Sequence, residues 1–243
     1  MPDKKALMSY ILKLKRVVMS QLLNDFLKSE IHPMMKELGY RKKANYFWRK
    51  NDTFVFTINF QSSQWNFEGR DEFFINCGVY SFEVAKANGD ETDFSKLSMS
   101  DLLLDQYNDR QHYFTTHHHF SSFMLTDTSD ALETGRVVRD ELNIVMSFFN
   151  SLTDNRKLLD WFMKEKVWVH HNKFLIYAFQ QGYWDYVDYF IKNKKMSYEN
   201  DSDYEIEENG LKICHQASGI WPRLAKKYRA LCEKYHHQLD FEL

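Results

Sequence analysis

The chain has 243 residues, of which 44% are hydrophobic and 27% are charged, and it contains 8 Gly and 3 Pro. This composition is typical of a folded chain with one large or two small domains, and it argues against disorder and against a many-turned β-sandwich. No apolar run approaches the roughly 18 residues of a membrane-spanning helix. The three cysteines are too few and too scattered for a disulfide framework, so we expect a cytoplasmic protein with no membrane contact.

Charge is unevenly distributed along the chain. Residues 1–50 hold 12 Lys or Arg against 4 Asp or Glu, whereas acidic residues outnumber basic ones in the remainder. A basic helix can follow a phosphate backbone, but the acidic remainder would repel the same polyanion. RNA binding is therefore disfavoured, and the residues that would carry it are Lys13, Arg16, Arg41, Lys42 and Lys43.

The first segment has the periodicity of an amphipathic helix. Its apolar residues recur every three or four positions, which places them on one stripe. Pro33 is expected to kink or restart the helix, because proline lacks the N–H and clashes with the preceding turn. Gly39 is a natural residue to follow its end. The stripe consists of Leu7, Ile11, Leu14, Val18, Leu22 and Phe26.

From Tyr46 onward the period changes to two. Apolar residues at 54, 56, 58 and 60 alternate with more polar neighbours, as in a strand with one buried face. Similar patterns in Tyr46–Lys50 and Phe73–Tyr80 predict, with this strand, an antiparallel three-stranded meander. A further strand is predicted around Tyr113–Phe120.

Helical spacing returns at Ala131–Phe149, with Asp130 as the predicted N-cap. Beyond Asp154 the pattern predicts short helices, an acidic loop over residues 199–208 and a last helix. The predicted fold class is α+β, an antiparallel meander sheet packed against helices with an all-helical C-terminal extension. The predicted domains are 1–150, the α+β domain, and 151–243, the helical extension packed on it.

Three motifs follow one another in the first half of the chain: Leu38–Lys43, Ile58–Ser63 and Phe74–Tyr80. Their order resembles domain-of-unknown-function family four-three-zero-four, a bacterial and uncharacterised family, over roughly residues 17–165. The resemblance implies a helix packed on an antiparallel sheet and a bacterial origin. It brings no known activity and no catalytic residues.

Strand parity predicts a cluster of polar amides on the face opposite the phenylalanines. Asn59, Gln61 and Asn76, flanked by Arg49 and Tyr80, could bind a peptide or a small polar ligand through paired donors and acceptors. Alternatively, these amides are cross-strand pairs that satisfy one another. An amide does no general acid or base catalysis at neutral pH, so the cluster favours binding over catalysis.

Histidines are concentrated near residues 112–119. Parity in the strand predicted there places His117 and His119 on one face, where two imidazoles could ligate a divalent metal if a carboxylate joined them. The spacing matches no standard metal site, and an exposed polar strand is the simpler interpretation. A metal-dependent hydrolase centred on these two residues is the alternative function.

Motifs for catalysis are absent from the sequence: there is no Gly-rich phosphate loop, nucleophile elbow or HExxH. Aromatic residues make up 16% of the chain, and Trp and Tyr are common interface anchors. We therefore predict a non-enzymatic protein-binding module without a cofactor, whose partner is a protein bound by the helical extension or the polar sheet face. An immunity-like role, in which the acidic loop attracts a basic toxin, is one form of this hypothesis.

Overall fold

The computed structural model describes residues 21–90, 107–110, 122–166, 172–199, 204–208, 211–215 and 221–243. The chain divides into two compact units. One contains Met1–Phe82 and Thr92–Asp154, and the other contains Glu83–Glu91 and Asn155–Leu243. The first unit is built around a β-sheet and the second is mainly helical. The α+β class predicted from the sequence is confirmed.

The first described helical segment has three parts. Helix α1 (Gln21–Phe26) continues through a π-helical turn (Leu27–Ile31) into α2 (His32–Glu37). The interruption lies next to Pro33, which cannot donate a backbone hydrogen bond to the turn before it. The predicted restart at Pro33 is therefore found, and Gly39, with φ of +78°, follows the end of α2. The predicted helical residues before position 21 lie outside the described residues.

Six antiparallel strands form the main sheet described in the first unit. The predicted meander is present as β2, β3 and β4. A short edge strand, β1, precedes it, and β5 and β6 both pair with β4. The strand predicted around Tyr113–Phe120 falls outside the described residues. The six strands are β1 (Arg41–Lys43), β2 (Tyr46–Lys50), β3 (Phe54–Ser62), β4 (Arg70–Ser81), β5 (Tyr107–Arg110) and β6 (Phe123–Thr126).

One face of this sheet, the inner face, packs against helices. Phe56 is stacked on Phe149 of helix α4 (Ala131–Ser151), with 4.8 Å between the ring centroids. Phe73 lies 5.6 Å from Phe26 of α1 and 5.4 Å from Phe123 of β6. All five rings are buried. Burial of such a side chain contributes about 1.5–3 kcal/mol, so the inner face is the core of the unit.

Helix α4 begins as the sequence predicts. The side chain of the N-cap Asp130 accepts hydrogen bonds from the backbone N–H groups of Leu132 and Glu133. Such a cap satisfies N–H groups that have no partner within the helix. Farther along, Gly135 leaves room for Glu30, whose carboxylate is 2.8 Å from Arg139. These contacts join α4 to the π-helical turn.

The second unit contains the helices α5 (Asn155–Lys164), α6 (Lys173–Gln181), α7 (Trp184–Glu199) and α8 (Trp221–Lys234). Most of α3 (Phe82–Ala87), which follows β4 directly, also belongs to it. A two-stranded hairpin, β7 (Tyr204–Glu208) and β8 (Leu211–His215), lies between α7 and α8. The prediction of an acidic loop over residues 199–208 is therefore wrong for residues 204–208, because their backbone pairs as a strand. None of the helices in the described part of the chain is long and apolar enough to cross a membrane.

Candidate functional site

The structure places four of the predicted ligand residues on the outer face of the sheet, opposite the core. Residues directly opposite one another in an antiparallel pair project from the same face. Asn59 is opposite Asn76, Gln61 is opposite Phe74, and Tyr80 is opposite Val55. None of these pairs involves a core phenylalanine of the inner face. The parity of the sequence thus separates the amides from the core phenylalanines of the inner face, as predicted.

The amides form a ladder across β3 and β4. The Asn76 Nδ2 group donates to Asn59 Oδ1 at 3.2 Å and to Gln61 Oε1 at 3.0 Å. Asn59 Nδ2 in turn donates to the backbone oxygen of Asn45 at 3.5 Å. Both N–H groups of the Asn76 amide are therefore used within the sheet. This is the cross-strand pairing that the sequence left open as the alternative to a ligand site.

Exposure of the ladder changes along the strands. Asn59 is 6% exposed, Asn76 is half-buried and Gln61 is exposed. Tyr80 is 1% exposed and lies four residues from Asn76 along β4, about 13 Å away. The outer face therefore has a closed end at Tyr80 and an open end at Gln61, and Tyr80 is not brought together with the amides.

Arg49, the fifth predicted ligand residue, lies on the inner face, because it is opposite Phe56. Its guanidinium carbon is 5.2 Å from the centroid of the Tyr40 ring and 5.8 Å from that of Phe56. Its Nη2 donates to Asn150 Oδ1 of α4 at 2.5 Å. The sheet thus separates Arg49 from the amide ladder, so the two cannot form one site.

Two strongly exposed aromatic residues among the described residues of the first unit were not predicted from the sequence. Trp65 is 79% exposed and Phe67 is 55% exposed, and both lie in the turn between β3 and β4. The Arg70 guanidinium is 5.4 Å from the Phe67 ring centroid. We call Trp65, Phe67 and Arg70 the hairpin tip. The signal in the sequence was two aromatic residues inside a polar turn, where packing in a core does not require them.

The hairpin tip is held in a fixed conformation by Asn66, which lies between the two aromatic residues and is buried. Its side-chain Nδ2 donates to the backbone oxygen of Glu72 at 2.9 Å, and its Oδ1 accepts from the Glu72 N–H at 2.8 Å. The backbone groups of Phe67 and Arg70 also pair with each other in both directions. The amide of Asn66 thus substitutes for a strand residue and orders the turn.

The ionisable groups of the described residues bear on the predicted metal site. No cluster of three His, Cys, Asp or Glu suited to a metal is found among them. His117 and His119 lie outside the described residues, so the predicted metal site stays a prediction. Burial raises the pKa of the Cys232 thiol, which disfavours the reactive thiolate. Burial likewise raises the pKa of Asp71, a carboxyl on the inner face that accepts the Leu23 N–H at 3.1 Å.

Several aromatic side chains of the second unit lie in its core. Phe162 packs edge-on against Phe174 at 5.3 Å, and Tyr186 and Tyr228 are fully buried. Among the described aromatic residues of this unit, Trp184 is the most exposed. Its ring is stacked on that of His237, with 4.6 Å between the ring centroids. These contacts agree with core packing as the main use of these rings.

Comparison with known proteins gives a match to a protein family. Among curated proteins and solved structures there is no match to this chain. Residues 31–150 match the model of a protein family described as "Domain of unknown function (DUF4304)". The matched segment begins at the end of the π-helical turn and ends in α4, so it spans the sheet and the hairpin tip. Residues 31–150 thus belong to the DUF4304 family of domains of unknown function.

Proposed function

We propose that the protein is a non-enzymatic protein-binding module of the cytoplasm, and that the hairpin tip is its contact surface. The observation that carries this proposal is the exposure of Trp65 and Phe67 on a turn whose conformation is fixed. Trp and Arg are the residue types that most often dominate binding energy at protein interfaces.

The backbone of the hairpin tip is ordered, which favours binding. Exposed aromatic side chains on a mobile loop would lose conformational freedom on binding, which costs about 0.5–1.5 kcal/mol for each immobilised side chain. Here the Asn66 side chain already fixes the backbone of the turn through its two hydrogen bonds to Glu72, and the Arg70 guanidinium lies over the Phe67 ring. A partner with an apolar pocket would meet a turn whose backbone is already ordered.

The hairpin tip adjoins the open end of the outer face, which gives the contact surface a polar border. Gln61, at the open end of the amide ladder, is exposed. Interfaces commonly combine a few aromatic anchors with a polar rim. Gln61, the exposed member of the predicted amide cluster, then belongs to the rim of the contact surface, and the aromatic anchors lie at the turn.

Photo-crosslinking in the host cell tests this proposal. A photoreactive phenylalanine analogue at position 67 should yield a discrete crosslinked species with a second protein. The same analogue at Met196, which is exposed on α7, is the control and should yield none. Trp65→Ala should abolish the species formed from position 67.

Three outcomes would contradict the proposal. Identical crosslinks from positions 67 and 196 would show non-specific contact. Crosslinks that persist in Trp65→Ala would remove the tip as the anchor. A species of twice the chain mass of 29.3 kDa would show a second copy of this chain instead of another protein.

The immunity-like form of the proposal depends on the acidic segment. Strand β7 brings Glu205, Glu207 and Glu208 into one hairpin, and carboxylates at this density attract a basic partner over a long range. Changing all three to Lys should eliminate the crosslinked species if the partner is a basic toxin. Unchanged recovery would exclude the acidic strand from the interaction and leave the tip as the proposed surface.

A further inference from the structure

Strand β2 carries three consecutive aromatic residues, and they divide between the two faces of the sheet. Phe47 lies on the inner face, where it is fully buried and its ring centroid is 5.8 Å from that of Phe60. Tyr46 and Trp48 project from the outer face, because Tyr46 is opposite Asn59 of the amide ladder. Both are only half-buried. The core of the inner face therefore accounts for Phe47 and not for the two rings beside it.

Two cations of the edge strand β1 lie next to these rings. Arg41 is directly opposite Trp48, and Lys43 is directly opposite Tyr46, so all four side chains project from the outer face. Arg41 and Lys43 are exposed, and within the described part of the chain neither forms an ion pair with an Asp or Glu. We call Tyr46, Trp48, Arg41 and Lys43 the aromatic platform.

The charge around the aromatic platform differs from that of the whole chain. The net charge of the chain is -2, which argued against a polyanionic ligand at the level of the sequence. Strands β1, β2 and β3, however, hold five Lys or Arg and no Asp or Glu. At physiological ionic strength, charges separated by more than about 8 Å are largely screened. The local charge of these strands therefore decides which ligand the platform attracts, and it favours an anion.

The spacing of the rings and cations suits a chain of nucleotides. Proteins bind single strands without sequence preference by stacking bases on aromatic side chains beside a positively charged groove. The two rings are two residues apart on β2, about 7 Å, and β1 lies about 4.8 Å to the side. Asn59, beside Tyr46, uses its amide oxygen and nitrogen within the ladder, so it is not free to read a base edge.

From this geometry we propose that the aromatic platform binds single-stranded nucleic acid. Two bases stack on Tyr46 and Trp48, and Arg41 and Lys43 hold the adjoining phosphates. The platform lies on β1 and β2, whereas the hairpin tip joins β3 to β4, so this proposal does not depend on the protein-binding proposal. The bases of a duplex are stacked on one another, so the platform should prefer single strands.

Fluorescence anisotropy with labelled oligouridine, oligoadenosine and oligothymidine of about 12 nucleotides tests the proposal. We expect saturable binding of all three with similar affinities, and binding of a duplex of the same length that is weaker by about tenfold or more. Trp48→Leu removes one stacking ring and should weaken single-strand binding by about tenfold or more. Trp65→Leu, the same change at the exposed hairpin tip, should leave the affinity unchanged.

Salt dependence measures the phosphate contacts separately. Each phosphate that is neutralised on a single strand contributes about 0.7 to the magnitude of the slope of log affinity against log salt concentration. Arg41→Gln should therefore reduce this magnitude by about 0.7, whereas Lys226→Gln, on the exposed surface of α8, should leave it unchanged. Arg41 is exposed on an edge strand, so Arg41→Gln tests the platform in a chain that still folds.

Four outcomes would overturn the proposal. None of the three single strands binds saturably, or Trp48→Leu and Trp65→Leu have the same affinity. Equal affinity for the duplex would show that phosphates alone are recognised. An oligoglutamate peptide that binds as tightly as oligouridine would show that the surface serves an acidic protein segment instead.

Discussion

The two faces of the main sheet are formed by the same strands but differ in what covers them. On the inner face, rings from β3 and β4 are closed over by α1 and α4, as in the contact between Phe56 and Phe149. On the outer face, an amide ladder ends in the exposed Gln61 and continues to a turn with two exposed rings. Hydrophobic burial therefore stabilises the inner face, and the outer face leaves polar and aromatic groups accessible at its open end. The difference shows where substitutions should affect folding and where they should affect binding.

The largest effect is expected on the inner face. Phe56→Ala removes a fully buried ring and its stacking on Phe149, so it should lower the free energy of unfolding by about 3–5 kcal/mol. Urea unfolding monitored by circular dichroism measures this. Phe56→Leu, which keeps most of the volume, is the matched control and should cost much less. Equal losses in the two variants would mean that ring packing is not what stabilises this face.

An intermediate effect is expected in the amide ladder. Asn76→Ala leaves the carbonyl of the buried Asn59 without its hydrogen-bond donor, which should cost about 1–3 kcal/mol in unfolding free energy. Gln61→Ala affects the exposed end of the same ladder and should cost about 0.5 kcal/mol or less. The same urea titrations compare the two variants. If Gln61→Ala costs as much as Asn76→Ala, burial does not distinguish the two ends of the ladder.

A smaller effect is expected from Asp71, the buried carboxyl of the inner face, and it should appear as a pH dependence. Burial raises its pKa above the ordinary 3.8, and the hydrogen bond from the Leu23 N–H offsets this only in part. The folded chain therefore holds the Asp71 proton more firmly than the unfolded chain does. Its contribution to stability is fully present below 3.8 and is lost as the pH rises through the raised value.

Unfolding free energies measured between about pH 3 and 7 check this sign. Relative to Asp71→Asn, which has no titrating group, the unmodified chain should lose stability as the pH increases. A difference that grows in favour of the unmodified chain with rising pH would contradict burial as the dominant cause.

Strand parity was readable from the sequence because the period of a strand is two, so the alternation at Phe54–Gln61 places each side chain on a face. The same alternation assigns Arg49 to the face of Phe47, and grouping it with the amides ignored the register of β2 against β3. The burial of Tyr80 and Thr57 on the outer face could not be predicted in this way. It depends on what lies over that face, which strand periodicity does not contain.

Other features depend on contacts between distant residues. The π-helical turn was not predicted, although Pro33 indicated that the helix would be interrupted there. The ordered hairpin tip requires Asn66 to reach both backbone groups of Glu72, and a turn sequence alone does not specify that contact. The family resemblance predicted the sheet with its helix, and this part of the prediction is confirmed.

The smallest effect on folding is expected at the hairpin tip, where neighbouring residues should behave in opposite ways. Trp65 is 79% exposed, so Trp65→Ala should change the unfolding free energy by no more than about 0.5 kcal/mol. Asn66 is buried and makes two hydrogen bonds to Glu72, so Asn66→Ala should cost about 1–3 kcal/mol. Urea unfolding of both variants, run beside crosslinking from position 67, separates fold from function. A stable Trp65→Ala chain that has lost its crosslinked species would mean that the indole is exposed for a partner. A Trp65→Ala chain as unstable as Asn66→Ala would mean instead that the indole supports the turn, and the comparison between the two faces would no longer hold at this point.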